Sequence, residues 1–174
     1  MKVVMIYDQI QSGAGIKDDQ MVPLGATKEA VGPAIMMEPY LKKINAKVIA
    51  CLYCGDGYYQ ENAEEVSRKM CAMVQKINAD VVIAGPAFNY IGYGKMAANI
   101  AYDISTKTNI KAFAAMSLEN EETINEFKNK INIIQTPKKG GTGLTTSLEA
   151  MCQLAQAMHQ NQDVSPITTK YCFK

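Results

Sequence analysis

Five short apolar runs alternate along the chain with segments of helical periodicity, and this alternation limits the possible folds more than any other feature. The runs are residues 2–7, 48–53, 81–84, 111–117 and 131–135. Their length and composition are typical of strands buried on both faces. Because successive strand–helix units connect by right-handed crossovers, they form a parallel sheet with helices on both sides. The sequence therefore predicts an α/β fold: a doubly wound five-stranded parallel sheet, in a flavodoxin-like or Rossmann-like three-layer sandwich with the strand order 2-1-3-4-5.

A helix is predicted after each strand, over residues 32–44, 62–78, 95–107, 121–130 and 142–160. In the first of these, Pro39 leaves two alternatives: a kinked helix, or a helix that starts near Glu38 after a turn. Asn62 and Asn120 are the predicted N-caps of the second and fourth helices. Residues 1–162 are expected to form a single α/β domain, and residues 163–174, which show no periodicity, a C-terminal tail.

The composition indicates a single globular domain and argues against several classes of partner. The chain has 174 residues, of which 48% are hydrophobic, enough for the core of one domain. Its 18 basic and 17 acidic residues are interspersed, so neither nucleic acid nor an anionic membrane is an expected partner. No run reaches the ~18 apolar residues of a membrane span. The first residues lack a signal-peptide cleavage site, and the five cysteines fit reduced thiols, so we expect a cytoplasmic protein.

Two of the predicted strands end in glycine turns that contain polar residues. The strand over residues 81–84 runs into residues 85–94, which include Asn89, and the strand over 48–53 runs into residues 54–62, which include Asp56. Ligands of open parallel sheets bind at the carboxyl ends of the strands, so the two turns are predicted to form one pocket. For Asp56 the alternative is a turn former or capping acid, and for Asn89 a helix N-cap.

Aromatic residues accompany both turns. Tyr58, Tyr59, Tyr90 and Tyr93 are predicted to wall the pocket. Aromatic faces attract cations, and a quaternary ammonium group is the best-matched ligand class.

The connection over residues 10–30 is polar, contains glycines and is long for a compact domain. Two interpretations are open. The loop covers the strand ends or reaches a neighbouring subunit, or it is a surface excursion without a role.

A second glycine-rich segment precedes the last predicted helix. Its backbone amides and lysines are candidates for binding a phosphate or carboxylate, although the spacing of a P-loop is missing. The candidate anion-binding residues are Lys138, Gly140, Gly141 and Thr142.

Cysteine and histidine usage argues against metal and disulfide chemistry. His159 is the single histidine and has no partner at metal-ligand spacing, so no metal site is predicted. Cys51 and Cys54 have the C-x-x-C spacing, but residues three apart on a strand point to opposite faces, so a redox disulfide is not expected. Cys54 is either a reactive thiol beside a turn or a small buried hydrophobe.

Three blocks of the sequence carry a family resemblance. Residues 54–62, residues 84–94 and the Val31-Gly32-Pro33 segment resemble blocks in the N-terminal half of selenoprotein B of the glycine/sarcosine/betaine reductases, in the same order. The resemblance spans most of this chain and under half of the family protein. The reactive selenocysteine of the family lies beyond the last residue of this chain.

The resemblance implies a function. In these reductases a pyruvoyl group on a partner subunit holds the substrate amine, while the selenide of selenoprotein B attacks the carbon and releases the amine. By resemblance, the chain is a component B-like domain that contributes to the amine pocket or to a subunit contact. Its expected partners are glycine, sarcosine or betaine and other reductase subunits, with a homo-oligomer left open.

The same resemblance gives a set of site residues. Cys54 becomes the candidate nucleophile, and no cofactor is predicted. The candidate substrate-binding residues are Asp56, Tyr58, Tyr59, Asn62, Gly85, Pro86, Phe88, Asn89 and Tyr93. Without a selenocysteine the chain is not expected to turn over alone. The alternatives are a non-catalytic binding or scaffold protein, and a flavodoxin-like flavin or nucleotide binder that uses residues 138–143.

Overall fold

The computed structural model describes residues 1–174 and contains one six-stranded sheet. The strands are β1 Lys2–Tyr7, β2 Gly25–Thr27, β3 Lys47–Tyr53, β4 Val81–Ala84, β5 Lys111–Met116 and β6 Ile133–Gln135. They lie in the order β2-β3-β1-β4-β5-β6, and every neighbouring pair except β2 and β3 is parallel. The predicted α/β class is confirmed, as is the order of the five predicted strands.

The predicted strand count is one too low, because β2 was not anticipated. It lies within the 10–30 connection and pairs antiparallel with the end of β3, with Gly25 opposite Tyr53. Gly25 lies against the Tyr53 ring, and a Cβ atom at this position would overlap it. A Gly-Ala-Thr segment has neither the length nor the apolar alternation by which a strand is recognised.

Six helices connect and flank the strands: α1 Pro33–Lys43, α2 Asp56–Lys76, α3 Ile91–Lys107, α4 Glu121–Phe127, α5 Leu144–His159 and α6 Ser165–Tyr171. A short 3₁₀ turn, Leu118–Asn120, precedes α4. The first helix continues through Pro39, so the alternative of a start near Glu38 is wrong. Helices α2 and α3 begin earlier than predicted, and α6 was not predicted.

Neither predicted N-cap asparagine makes a capping hydrogen bond, although Asn120 does occupy the N-cap position of α4. Asn62 lies inside α2, at a kink with φ −132°, and its side-chain amide donates to the Tyr58 carbonyl. Asn120 makes no capping hydrogen bond and instead donates to the Phe88 carbonyl at 2.6 Å. The early start of α2 was missed because Gly57 is a poor helix former that reads as part of a turn.

Helices cover both faces of the sheet and bury its central strands. Helices α1 and α5 pack together on one face, and α2, α3 and α4 on the other. Residues 3–7 of β1 and all of β4 are completely buried, as expected for the middle of a doubly wound sheet. No helix combines the length and apolarity needed to cross a membrane.

The C-terminal residues 163–174 pack on the domain. Helix α6 contacts α5 and β6, and Cys172 forms an antiparallel bridge with Ile134. The Phe173 amide donates to the Ile133 carbonyl at 3.1 Å. This segment therefore covers the outer edge of β6, which otherwise would present unpaired backbone groups.

The direction of chain connection reverses between β1 and β4. From β1 the chain passes through α1 to β3 on one side, and after α2 it returns to β4 on the other side. A crevice forms at such a switch point, outside the carboxyl ends of the strands, and open α/β sheets bind their ligands there.

Candidate functional site

A cavity of about 280 Å³ lies at this switch point, and we call it the switch-point cavity. It is bounded by the residues that follow β1, by the start of α2, by the residues between β4 and α3, and by the long connection after β1. The lining residues are Asp8, Gln9, Ile10, Lys17, Gln20, Asp56, Asn89, Tyr90 and Ile91. The location and the mixture of charged, amide and aromatic groups make this cavity the candidate site.

Asp8 is the first residue after β1 and is only 1% exposed. Its Oδ1 accepts a hydrogen bond from the Gln11 backbone N–H at 2.7 Å. The pKa of Asp8 is raised to about 6, mainly by burial; the nearby charge of Asp56 contributes to the rise, and the Gln11 N–H opposes it. A carboxyl group that titrates near neutral pH therefore faces the cavity.

Asp56 is the first residue of α2, where an acidic side chain suits the helix dipole. Gln9 fixes its position, because the Gln9 side-chain amide donates to Asp56 Oδ1 at 3.3 Å and the Asp56 backbone N–H donates to Gln9 Oε1 at 3.2 Å. Oδ1 also accepts from the Gly57 N–H at 3.0 Å. Helix α3 approaches closely at Gly92, where a Cβ atom would overlap Asp56 Oδ2.

The segment between β4 and α3 is held by its neighbours. Gly85, at φ 129° and joined to Pro86 by a cis peptide bond, lies against the β5 backbone, and a Cβ atom there would overlap the Ala115 carbonyl. The Phe88 carbonyl accepts from the Ser117 N–H at 3.0 Å and from the Asn120 side chain. These contacts present the next residues, Asn89 and Tyr90, to the cavity.

The long 10–24 part of the connection covers the strand ends, as one of the two sequence interpretations held. Gln9 donates to the Lys17 carbonyl at 3.3 Å. The Tyr58 N–H donates to the Gln20 carbonyl and the Gly55 N–H donates to the Val22 carbonyl, each at 2.8 Å. The segment is thereby fastened to the start of α2, and Lys17 and Gln20 line the cavity.

Asp56, Asn89 and Tyr90 are the predicted pocket residues that line the cavity. Tyr93 is completely buried and its hydroxyl donates to the Ile6 carbonyl at 2.6 Å, while Tyr59 is 7% exposed in the core. Phe88 is buried with its backbone at φ 49°. The remaining members of the predicted set contribute backbone support or lie further along α2: Tyr58, Asn62, Gly85 and Pro86.

Cys54 is a protonated, buried thiol. It is 0% exposed and its Sγ lies 3.4 Å from Met96 Sδ. Its pKa is raised to about 12, mainly by burial and in smaller part by the charges of Asp56 and Asp8. A thiol is a poor nucleophile until it ionises, so this environment opposes the chemistry that the sequence suggested. All five cysteines are free and buried.

The candidate anion-binding segment adjoins the cavity through one lysine. The Lys139 N–H donates to Asn89 Oδ1 at 2.9 Å, and its ammonium lies 5.6 Å from the centre of the Tyr90 ring. The Gly141 N–H is occupied by the Lys138 carbonyl at 2.8 Å. Lys138, Gly140 and Thr142 are exposed and do not line the cavity.

Sequence reasoning missed four polar lining residues. Asp8 and Gln9 directly follow the first strand, so the strand-end rule that selected Asp56 would also have selected them. Lys17 and Gln20 carry no such signal, because only the folded loop brings them to the cavity.

A larger open depression of about 550 Å³ lies at the opposite edge of the sheet, around the amino ends of β5 and β6. It contains lysines and asparagines, no carboxylate, and one of its lysines donates to the Lys174 carbonyl. Ligands of parallel sheets bind at the carboxyl edge, so the smaller cavity remains the candidate site.

Comparison with known proteins agrees with the blocks noted in the sequence. The model of the family described as glycine/sarcosine/betaine reductase selenoprotein B matches residues 1–174. The chain belongs to this family.

Several curated relatives are reductase subunits. The chain is 30% identical, over 98% of its length, to the glycine reductase complex component B subunit gamma of Peptoclostridium acidaminophilum. It is 28% identical, over 95% of its length, to the sarcosine reductase complex component B subunit beta of the same organism, and 22% identical to its betaine reductase counterpart. The chain spans only 39%, 37% and 37% of these relatives. No solved structure matches the chain.

Proposed function

We propose that this selenoprotein B family member is a component B-like domain of an amino-acid or betaine reductase, and that its switch-point cavity binds a small amine. The observation that supports this proposal most strongly is the position of Asp56. Gln9 orients its carboxylate in a cavity that Lys17 and Tyr90 also line. Relatives of the chain are named as subunits of glycine, sarcosine and betaine reductase complexes. These three substrates share a cationic nitrogen and a carboxylate.

The cavity offers a complementary group for each part of such a substrate. The cationic nitrogen faces Asp56, and the Tyr90 ring adds a cation–π contact. The substrate carboxylate is balanced by the Lys17 ammonium. The cavity lining contains no thiol, and Cys54 is protonated, so residues 1–174 supply no nucleophile for the reductive cleavage of the carbon–nitrogen bond.

Binding by this domain alone is expected to be weak. A small ligand gains at most about −1.5 kcal/mol per heavy atom, so a dissociation constant on the order of millimolar is expected. Calorimetry or ligand-observed NMR with glycine, sarcosine and betaine tests this. Asp56→Asn should weaken binding about tenfold without unfolding the protein, while Glu61→Gln, an exposed carboxylate on the same helix, should have no effect. Absence of binding of all three amines, also with partner subunits present, would contradict the proposal.

The carboxyl edge of the sheet is also the proposed subunit contact. The large hydrophobic side chains that are exposed all lie there, in the loop after β1, at the starts of α1 and α3, and after β5: Ile16, Met21, Ile35, Met36, Ile91 and Leu118. Exposed apolar groups gathered at one edge of a protein are typical of interaction sites. Another reductase subunit seated here would close the switch-point cavity.

Co-expression with the other reductase subunits of the same organism tests this contact. Leu118→Ser and Ile35→Ser should weaken co-purification and the measured affinity by at least about tenfold, because each removes an apolar group from the interface. Lys47→Ser, on the opposite edge of the sheet, is the matched control. Equal affinity of all variants would contradict the assignment of this edge.

A further inference from the structure

Asp8 is a buried carboxyl group without an ionic partner. It is 1% exposed, and its side chain is held by the Gln11 N–H. The three ion pairs of the protein are i,i+4 pairs on helices, and none includes Asp8. Burying an unpaired carboxylate is costly, so a protein that keeps one at a cavity wall is suited to a cation that enters the cavity.

The groups around Asp8 compensate its charge only in part. Asp56 adds a second negative charge from α2, and the Lys139 ammonium opposes it from the loop before α5. The Tyr93 hydroxyl on α3 and the Cys54 thiol also face Asp8, and both are held in their neutral forms by burial, which raises their pKa values. Lys17 completes the charged groups of the cavity lining.

We propose that Asp8 is the group that controls amine binding in the switch-point cavity: its ionised form is, together with Asp56, the counter-charge of the substrate nitrogen, and the protein with Asp8 protonated does not bind the amine. This inference rests on the proposed function and deepens it. Asp56 is held by Gln9 and by the dipole of α2, whereas Asp8 changes its charge state when the cavity is filled. Binding of a cation favours the carboxylate over the carboxylic acid, so substrate binding releases the Asp8 proton.

Amine binding therefore depends on pH in the range where Asp8 titrates. With a pKa of about 6 for Asp8, about one molecule in ten carries the ionised form at pH 5. The apparent dissociation constant rises in proportion as the competent fraction falls, so binding at pH 5 is about tenfold weaker than at pH 7.5. Replacing Asp56 by asparagine removes a charge that raises the Asp8 pKa, so the midpoint of this dependence moves to lower pH.

Betaine is the appropriate probe, because its quaternary nitrogen is cationic at every pH and has no proton to lose. Calorimetry is performed between pH 5 and pH 8 on the unmodified protein, on Asp8→Asn and on Asp56→Asn. The expected result is a roughly tenfold pH dependence for the unmodified protein, no detectable binding by Asp8→Asn at any pH, and a dependence with a lowered midpoint for Asp56→Asn. Carbon NMR of the Asp8 carboxyl group is expected to show a midpoint near pH 6 that betaine moves downward.

The outcomes separate this inference from the proposed function. If the unmodified protein binds betaine with the same affinity at all pH values and Asp8→Asn binds equally well, the role of Asp8 is overturned while the amine site stands. If no amine binds at any pH, the proposed function fails together with the inference. An Asp8 carboxyl that titrates at its ordinary pKa, with or without betaine, also overturns the role of Asp8.

Discussion

Gln9 and Asp56 hold each other through a reciprocal pair of hydrogen bonds, although they are 47 residues apart in the chain. The Gln9 side chain donates to the Asp56 carboxylate and accepts from the Asp56 backbone, and Gln9 itself is only 2% exposed. This pair ties the end of β1 to the start of α2. It also sets the direction of the carboxylate that faces the switch-point cavity.

Replacing Gln9 by alanine removes both bonds and also the bond that Gln9 donates to the Lys17 carbonyl. Each of the three is expected to contribute about 0.5–1.5 kcal/mol, so the free energy of unfolding should fall by about 1.5–4.5 kcal/mol. Betaine affinity should fall as well, because Asp56 loses its orientation. Urea unfolding and calorimetry measure the two effects, and Gln153→Ala, at an exposed position of α5, is the control. An unchanged affinity would show that the pair does not orient the site.

Asp8→Asn should stabilise the protein at neutral pH. The folded-state pKa of Asp8 is raised from 3.8 to about 6, so folding favours its protonated form. That stabilisation is complete below pH 4 and is lost as the pH rises through 6, which leaves an ionised Asp8 that opposes folding by about 2–3 kcal/mol at pH 7.5. Urea unfolding should therefore show a more stable variant at pH 7.5 and equal stability near pH 3.5. A less stable variant at pH 7.5 would contradict this.

Gly92→Ala should separate binding from stability. The new Cβ atom would overlap Asp56 Oδ2 and displace that carboxylate, while alanine in a helix gains about 0.5–1 kcal/mol over glycine. We expect weaker betaine binding with only a small loss of stability, because the gain of alanine over glycine in the helix offsets part of the cost of disturbing the Asp56 hydrogen bonds. Gly94→Ala is the matched comparison, because its Cβ would overlap the buried Asn120 side chain and should lower the free energy of unfolding by about 1–3 kcal/mol. Equal betaine affinity of Gly92→Ala and the unmodified protein would argue against Asp56.

The Cys54 thiol should not react with thiol reagents in the folded protein at a significant rate. Its pKa of about 12, raised by burial, keeps it protonated at pH 7–9, and it is 0% exposed. Thiol-reactive reagents should label it far more slowly in the native protein than in urea. Cys54→Ala should leave betaine binding unchanged. Rapid labelling of Cys54 at pH 7, identified by peptide mass, would restore it as a nucleophile.

The sequence predicted the sheet because its central strands are almost entirely apolar. The runs at β1, β4 and β5 leave no other packing than burial on both faces, and the parallel order follows from the intervening helices. By contrast, β2 exists because its backbone pairs with β3, which lies more than twenty residues further along the chain. The composition of a three-residue segment does not indicate which distant strand it will pair with.

The candidate site was predicted only in part, because only some of its residues are recognisable from local sequence. Asp56 and Asn89 lie next to strand ends, and the strand-end rule depends only on local sequence. Tyr59 and Tyr93 were assigned to the pocket because they were read as turn residues, but α2 and α3 begin before them and rotate them into the core. The position of Lys17 depends on the hydrogen bonds between the long loop and the start of α2. No local sequence pattern predicts these bonds.

The most direct test of the amine site is a map of amide chemical shifts while betaine is added to isotope-labelled protein. The account predicts shifts at Asp8–Ile10, at Asp56 and Gly57, and at Asn89–Ile91, which line or adjoin the switch-point cavity. Residues 108–112 and 128–132, around the depression at the opposite edge of the sheet, should not move. Shifts confined to that opposite edge, or no shifts at saturating betaine, would contradict the account.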